Sequence, residues 1–154
     1  MAELLQVSVE RVVPAPPSEV FELLADPRRH REIDGSGTLR DTVQGPDRLS
    51  LGAVFGMAMQ AGAKYEMTNT VVEFEEPRRI AWQPRPTSGL AARFIGGRIW
   101  RYELEPVDGG TRVRESWDIS QESPVSKPAV GLARKKTRAN MEKTLARIAD
   151  VVAG

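Results

Sequence analysis

Two hydrophobic rhythms follow one another along this chain, and their order limits what it can become. From about residue 38 to residue 119, apolar and polar side chains alternate with a period of two. From about Lys127 onward, Val130, Ala133, Thr137, Met141, Leu145, Ile148 and Val152 recur every three or four residues. The first rhythm predicts strands near 38–44, 51–60, 64–76, 79–85, 97–106 and 111–119, separated by turn signals at Gly45-Pro46-Asp47, Glu76-Pro77 and Asp108-Gly109-Gly110. Strands joined by such short turns read as an antiparallel meander. The last pair is the best defined, because Gly109 and Gly110 supply the positive φ that a tight hairpin needs. The second rhythm predicts one continuous helix of about 25 residues. At ~1.5 Å per residue it would span about 37 Å and cross the whole sheet.

The N-terminal segment adds a strand and two short helices. Leu5, Val7, Val9, Arg11 and Val13 share one parity, and Pro14, Pro16 and Pro17 end that ladder. Ser18 to Leu24 then suits a helix. Asp26 and Pro27 supply a cap and a first-turn proline for a second short helix, which ends at Gly35. Residues 87–95 have weak periodicity and are expected to form a longer, mobile loop. No linker or repeat divides the chain, so residues 1–154 read as a single domain. Zero Cys and one His remove thiol catalysis, disulfides, Cys-based zinc sites and iron-sulfur clusters, and no metal or organic cofactor is expected. Neither a leader pattern nor an apolar run of ~18 residues is present, which makes the expected location cytoplasmic.

The first strand ending in proline and alanine, the segment EVFELLADPRRH, the segment VVEFEEPRRIAW, the pair WRYELEPVDGGTRVRESWD and the terminal helix together resemble the START-like polyketide cyclase/dehydrase and lipid-transport (SRPBCC) superfamily over essentially the full length, in the manner of its small single-domain actinobacterial members. That resemblance implies an α+β helix-grip fold: a curved antiparallel sheet of about seven strands wrapped around a long C-terminal helix, with two short helices after the first strand. Members of the superfamily include ligand carriers, hormone receptors, ring-hydroxylating dioxygenase subunits, aromatase/cyclases and chaperone-associated proteins, so the fold does not choose among roles.

Strand parity nominates the residues that face the terminal helix. Trp100, Tyr102 and Leu104 share a side of one strand; Val113, Glu115 and Trp117 share a side of the next; Ile80 and Trp82 belong to the strand before. These aromatics either fill the core or line a space within it. Glu115 lies between two apolar positions, where burial raises a carboxyl pKa unless a partner compensates; Tyr102 is one such partner. Asn69, on the parity of Tyr65 and Met67, could bond a ligand carbonyl or bridge neighbouring backbone. Met57, Met59, Met67 and Met141 are adaptable side chains that suit either gap filling or a ligand of irregular shape. His30 is expected at the surface beside Arg28, Arg29 and Arg31, or at the rim of a cavity. His30, Asp34 and Ser36 lie too close together in sequence for a catalytic triad.

The function expected from these residues is binding of a small hydrophobic molecule, such as a lipid, polyketide or aromatic metabolite, between sheet and terminal helix. The alternatives are a cyclase/aromatase-type enzyme that draws on Glu115, Tyr102 and His30 as acid/base groups, and a protein-interaction or stress-response module without ligand. A net charge of +1, with 22 basic against 21 acidic residues, argues against nucleic acid as a partner. The run Arg134, Lys135, Lys136 and Arg138 reads as a solvated helix face. Stable membrane insertion is not expected, because the large apolar residues are assigned to the sheet. A homodimer stays open.

Overall fold

The computed structural model describes residues 5–87 and 96–154. In chain order the elements are β1 (Gln6–Val13), α1 (Pro17–Ala25), a 3₁₀ turn (Pro27–Arg29) running into α2 (His30–Ile33), β2 (Leu39–Gln44), β3 (Val54–Ala61), β4 (Ala63–Glu75), β5 (Arg79–Pro86), β6 (Ile99–Val107), β7 (Gly110–Asp118), α3 (Lys127–Leu132) and α4 (Arg134–Ala153). The seven strands form one curled antiparallel sheet in the order β1-β7-β6-β5-β4-β3-β2, and α4 lies in its hollow. This is the helix-grip arrangement. Segment 88–95, most of the expected loop, falls outside the described residues.

Register carries the inner face across the sheet. Val7, Trp117, Trp100, Trp82 and Val71 are successive partners along one row, and Val9, Glu115, Tyr102, Ile80 and Phe74 along the next. Parity on β4 does not hold throughout. A bulge between Val71 and Glu73 inserts one residue, which keeps both Val71 and Phe74 in register with inward-facing partners. Glu73 is thereby turned outward, where it accepts from Arg101 at 2.7 Å and from Arg79 at 3.1 Å. At the β6–β7 hairpin Gly109 and Gly110 have φ of 88° and 146°, the positive values that the turn requires.

The helical regions depart from the pattern in two places. The terminal helix is not continuous: α3 ends at Leu132, and Ala133 takes φ −87° and ψ 3° before α4 begins. The Ala133 amide donates to the Val130 carbonyl three residues back, a 3₁₀-type tightening that follows Gly131 and rotates the next turn off the stripe. Burial on this stretch therefore begins at Met141 and continues through Thr144, Leu145 and Ile148; Ala133 is exposed and Val130 only half-buried. The large apolar side chains are not all held by the sheet either, since Val125 is exposed and Leu132 is 90% exposed. The second departure is the segment after α1. Asp26 caps the amide of Arg28 at 3.0 Å as its sequence suggests, but the segment is a 3₁₀ turn plus a single α turn, not one helix.

Gly35 explains how α2 meets α4. A Cβ at this position would stand 2.1 Å from the Asn140 carbonyl oxygen and 2.6 Å from the Thr144 nitrogen, so only glycine permits the approach. Its amide donates to Thr144 Oγ1 at 2.9 Å, which fixes the corner to the helix.

Candidate functional site

A cavity of about 740 Å³ lies between the inner face of the sheet and α4. It exists because the row positions described above are not all filled from the helix side. Opposite Trp82, Trp100 and Tyr102, α4 presents Thr137, Asn140, Met141 and Thr144, of which only methionine is long and apolar. Such a volume falls within the range of about 300–1,000 Å³ usual for small-molecule sites.

Nine of the ten sequence-nominated binding residues line this one space. Met57 and Met67 are direct partners across β3 and β4, Met59 pairs with Tyr65 two residues along, and Met141 closes the helix side. Trp82, Trp100, Tyr102, Glu115 and Asn69 complete the set. Asn69 Nδ2 donates a long bond of 3.4 Å to the Phe55 carbonyl, the backbone alternative of the two its sequence position allows. Trp117 is the exception. It is buried beside Trp100 on the neighbouring strand, with ring centroids 6.2 Å apart, and is not part of the lining.

His30 is neither a surface residue nor one at the rim. It is 3% exposed, with its ring stacked on Trp82 at 4.7 Å and edge-on to Phe55 at 5.5 Å. The sequence expectation fails because the single turn of α2 buries His30 together with Ile33, three residues on along the same face, while Arg31 and Glu32 stay exposed. Its Nε2 lies 2.7 Å from the Leu24 carbonyl oxygen. A carbonyl only accepts, so Nε2 carries the proton and Nδ1 keeps a lone pair. Burial holds the imidazole pKa down to about 4, against weaker upward pulls from the Leu24 bond and the Asp26 charge. His30, Asp34 and Ser36 form no triad: Asp34 instead accepts from the Ser36 hydroxyl at 2.6 Å and from the Leu39 amide at 2.8 Å.

Glu115 sits on the inner face between Val113 and Trp117, 3% exposed, and its Oε2 accepts from the Tyr102 hydroxyl at 2.9 Å. Burial pushes its pKa from an ordinary 4.5 up to about 8; the Tyr102 bond pulls it down, and the charge of Asp34 adds to the rise. The Tyr102 hydroxyl is itself driven well above its ordinary value by burial and then by the neighbouring carboxyl. At neutral pH the pair is a phenol donating to a protonated acid. Chemically, the wall holds a neutral acid and a neutral base in one apolar container.

Sequence parity missed the polar clamp at the other end. Glu122, in the connection after β7, is buried and accepts from Arg98 at 2.9 Å and from Ser126 at 2.6 Å, while the Arg98 backbone amide donates to it at 2.8 Å. Arg98 lines the cavity, so this network ties the start of β6 to the approach to α3. An isolated acid in a turn-rich stretch gave no periodic signal. Among the described residues no cluster of His, Cys, Asp and Glu is placed to hold a metal ion, and no helix is long and apolar enough to cross a membrane.

Comparison with known proteins follows the same lines. An uncharacterized protein of Mycobacterium tuberculosis strain H37Rv, Rv0088, is 34% identical over 152 residues, which cover 94% of this chain; the chain spans 63% of that relative's length. Among solved structures, protein NE0264 from Nitrosomonas europaea superposes with a TM-score of 0.73 at 15% identity, covering 99% of this chain and 97% of that one. DynU16, from the dynemicin biosynthetic locus, gives a TM-score of 0.64 at 17% identity, covering 96% of this chain and 47% of its own. At these identities the structural matches establish the fold alone. The sequence pattern of one family matches residues 5–153, and by it the chain belongs to the polyketide cyclase/dehydrase and lipid transport family.

Proposed function

We propose that this protein encloses one small, largely apolar molecule between the sheet and α4. The observation that carries the reading is the 740 Å³ space walled by four indole or phenol rings, of Tyr65, Trp82, Trp100 and Tyr102, and four methionines. At ~30 Å³ per molecule of liquid water, a ligand filling it would displace about 25 waters. A ligand that hides ~300 Å² of apolar surface gains about 7 kcal/mol in gross terms, before the losses of ordering and immobilisation are subtracted. The methionines suit shapes that a rigid wall would reject. The experiment is native mass spectrometry of the purified protein, together with titration of tryptophan fluorescence by apolar compounds. Retained or added compounds at one per chain support the reading; a bare mass and unchanged emission across a panel of such compounds defeat it.

A second reading has its own observation. Tyr102, Glu115 and His30 all belong to the lining of the same cavity. A protonated carboxyl and an unprotonated imidazole in one lining support acid/base chemistry of the cyclase/dehydratase kind on a bound poly-carbonyl substrate, and the likeness to a protein of the dynemicin locus is in keeping with a biosynthetic role. Glu115→Gln separates the two. Undiminished ligand binding with loss of turnover supports the enzyme, turnover that survives the change removes Glu115 from the chemistry, and a bound poly-carbonyl compound that the wild-type protein returns unchanged removes the enzyme reading.

A further inference from the structure

Two side-chain atoms among the described residues are buried without a hydrogen-bond partner, and both belong to residues of the cavity wall: His30 Nδ1 and Glu115 Oε1. Leaving such a group unpaired in an apolar setting is unfavourable, and interiors avoid it unless something else completes it. Their hydrogen-bonding roles are fixed by the partners they already have. With Nε2 committed as donor to Leu24, Nδ1 can only accept. With Oε2 accepting from Tyr102, the free oxygen of Glu115 is the one that carries the acid proton and can donate.

Charge around the pair is equally one-sided. Asp34 belongs to the same lining, and its charge acts on both Glu115 and Tyr102. Among the described residues the one guanidinium in the lining, on Arg98, is already engaged by Glu122 through both of its carboxylate oxygens. A ligand carboxylate would therefore meet the charge of Asp34 and, among the described residues of the lining, no available cation.

From this juxtaposition we infer that His30 and Glu115 are the specificity-determining residues of the cavity: they select an uncharged ligand that offers a hydrogen-bond acceptor, such as a carbonyl, to Glu115 and a donor, such as a hydroxyl, to His30, and they reject carboxylates. The selection rests on the container reading above and narrows it. Trp82 sets the spacing, being stacked on His30 at 4.7 Å and 5.5 Å from the Tyr102 ring that holds Glu115. Both atoms are screened from water, so the lining must part slightly around a ligand to reach them, an adjustment that the flexible thioethers of Met57 and Met67 permit.

The test uses the unmodified protein and four tricyclic probes of similar shape: anthracene, anthraquinone, 2-hydroxyanthraquinone and anthracene-9-carboxylate. Dissociation constants are read from tryptophan quenching at pH 6.2, between the His30 and Glu115 pKa values of about 4 and about 8. Each completed hydrogen bond is expected to tighten binding by about threefold to tenfold, so anthraquinone binds more tightly than anthracene, and 2-hydroxyanthraquinone more tightly still. The carboxylate binds most weakly. Hydrophobicity alone orders the three uncharged probes the other way. In Glu115→Gln, which keeps a donor, the preference for the carbonyl persists; in Glu115→Leu it disappears. Equal affinity for the uncharged probes, or tightest binding of the carboxylate, overturns the inference while leaving the container reading in place. Failure of all four to bind removes both.

Discussion

Glu115 makes the stability of this fold fall as pH rises through neutrality. Its pKa goes from an ordinary 4.5 to about 8 in the folded chain, so the native state holds a proton that the unfolded chain releases. A raised pKa of this kind favours folding fully below the unfolded value, and that contribution is lost as pH climbs toward the folded one. His30 acts in the opposite sense: with its pKa lowered from 6.5 to about 4, it favours folding above 6.5 and loses that contribution as pH falls toward 4. Between 4.5 and 6.5 the two slopes largely cancel. Above 6.5 the carboxyl dominates, and at ~1.4 kcal/mol per pH unit the wild-type protein should lose roughly 1 to 2 kcal/mol between pH 6.5 and 8. Glu22, Glu73, Asp118 and Glu122 all have lowered pKa values, and their contributions are lost only at acid pH, outside this window. Urea denaturation at the two pH values reads the difference as a midpoint shift of about 0.5–1 M. Glu115→Gln should abolish the fall while leaving the profile below pH 4.5 intact. A wild-type midpoint that is flat or rises from pH 6.5 to 8, or a Gln variant with the same slope as wild type, would refute the reasoning.

Three further outcomes probe the frame. Gly35→Ala places a methyl group against the Asn140 carbonyl, and a thermal melt should report destabilisation of roughly 3 kcal/mol as α2 and α4 are forced apart. Glu122→Ala leaves Arg98 without its buried partner and should lower stability by about 3–5 kcal/mol in urea, with Glu122→Gln less severe because it can still accept from Ser126. Leu132→Ser should change the melting free energy by less than ~0.5 kcal/mol, since the side chain is 90% exposed on α3; a larger loss would mean that this residue is covered in solution.

Strand parity made the inner face legible because a period of two survives any curvature of the sheet. It brought Trp82, Trp100, Tyr102 and Glu115 to one side, and the Tyr102 to Glu115 bond followed from it. What parity could not give is which members of a row border the space: Trp117 is the cross-strand partner of Trp100 and shares its face, yet only Trp100 belongs to the lining. It also could not foresee the extra residue at Val72, which decides that Phe74 and not Glu73 is in register with the inner row. The helical regions were less legible for a different reason. A stripe at three-to-four spacing reports a preference for one side without saying what occupies that side, and one 3₁₀ bond at Ala133 was enough to divide the stripe. His30 was misread because its neighbours in sequence are charged, whereas its neighbours in space are Phe55 and Trp82. Glu122 and Gly35 act through contacts with residues distant in sequence, for which a single chain offers no local sign.

The most direct measurement is an NMR titration of the methyl-labelled methionines with an uncharged apolar probe such as anthraquinone. Met57, Met59, Met67 and Met141 come from three different elements and meet only in the lining of the cavity. Occupancy of that space predicts that these four methyl signals shift together and saturate at one probe per chain. Signals that stay fixed while the probe binds would put the ligand elsewhere and contradict the account.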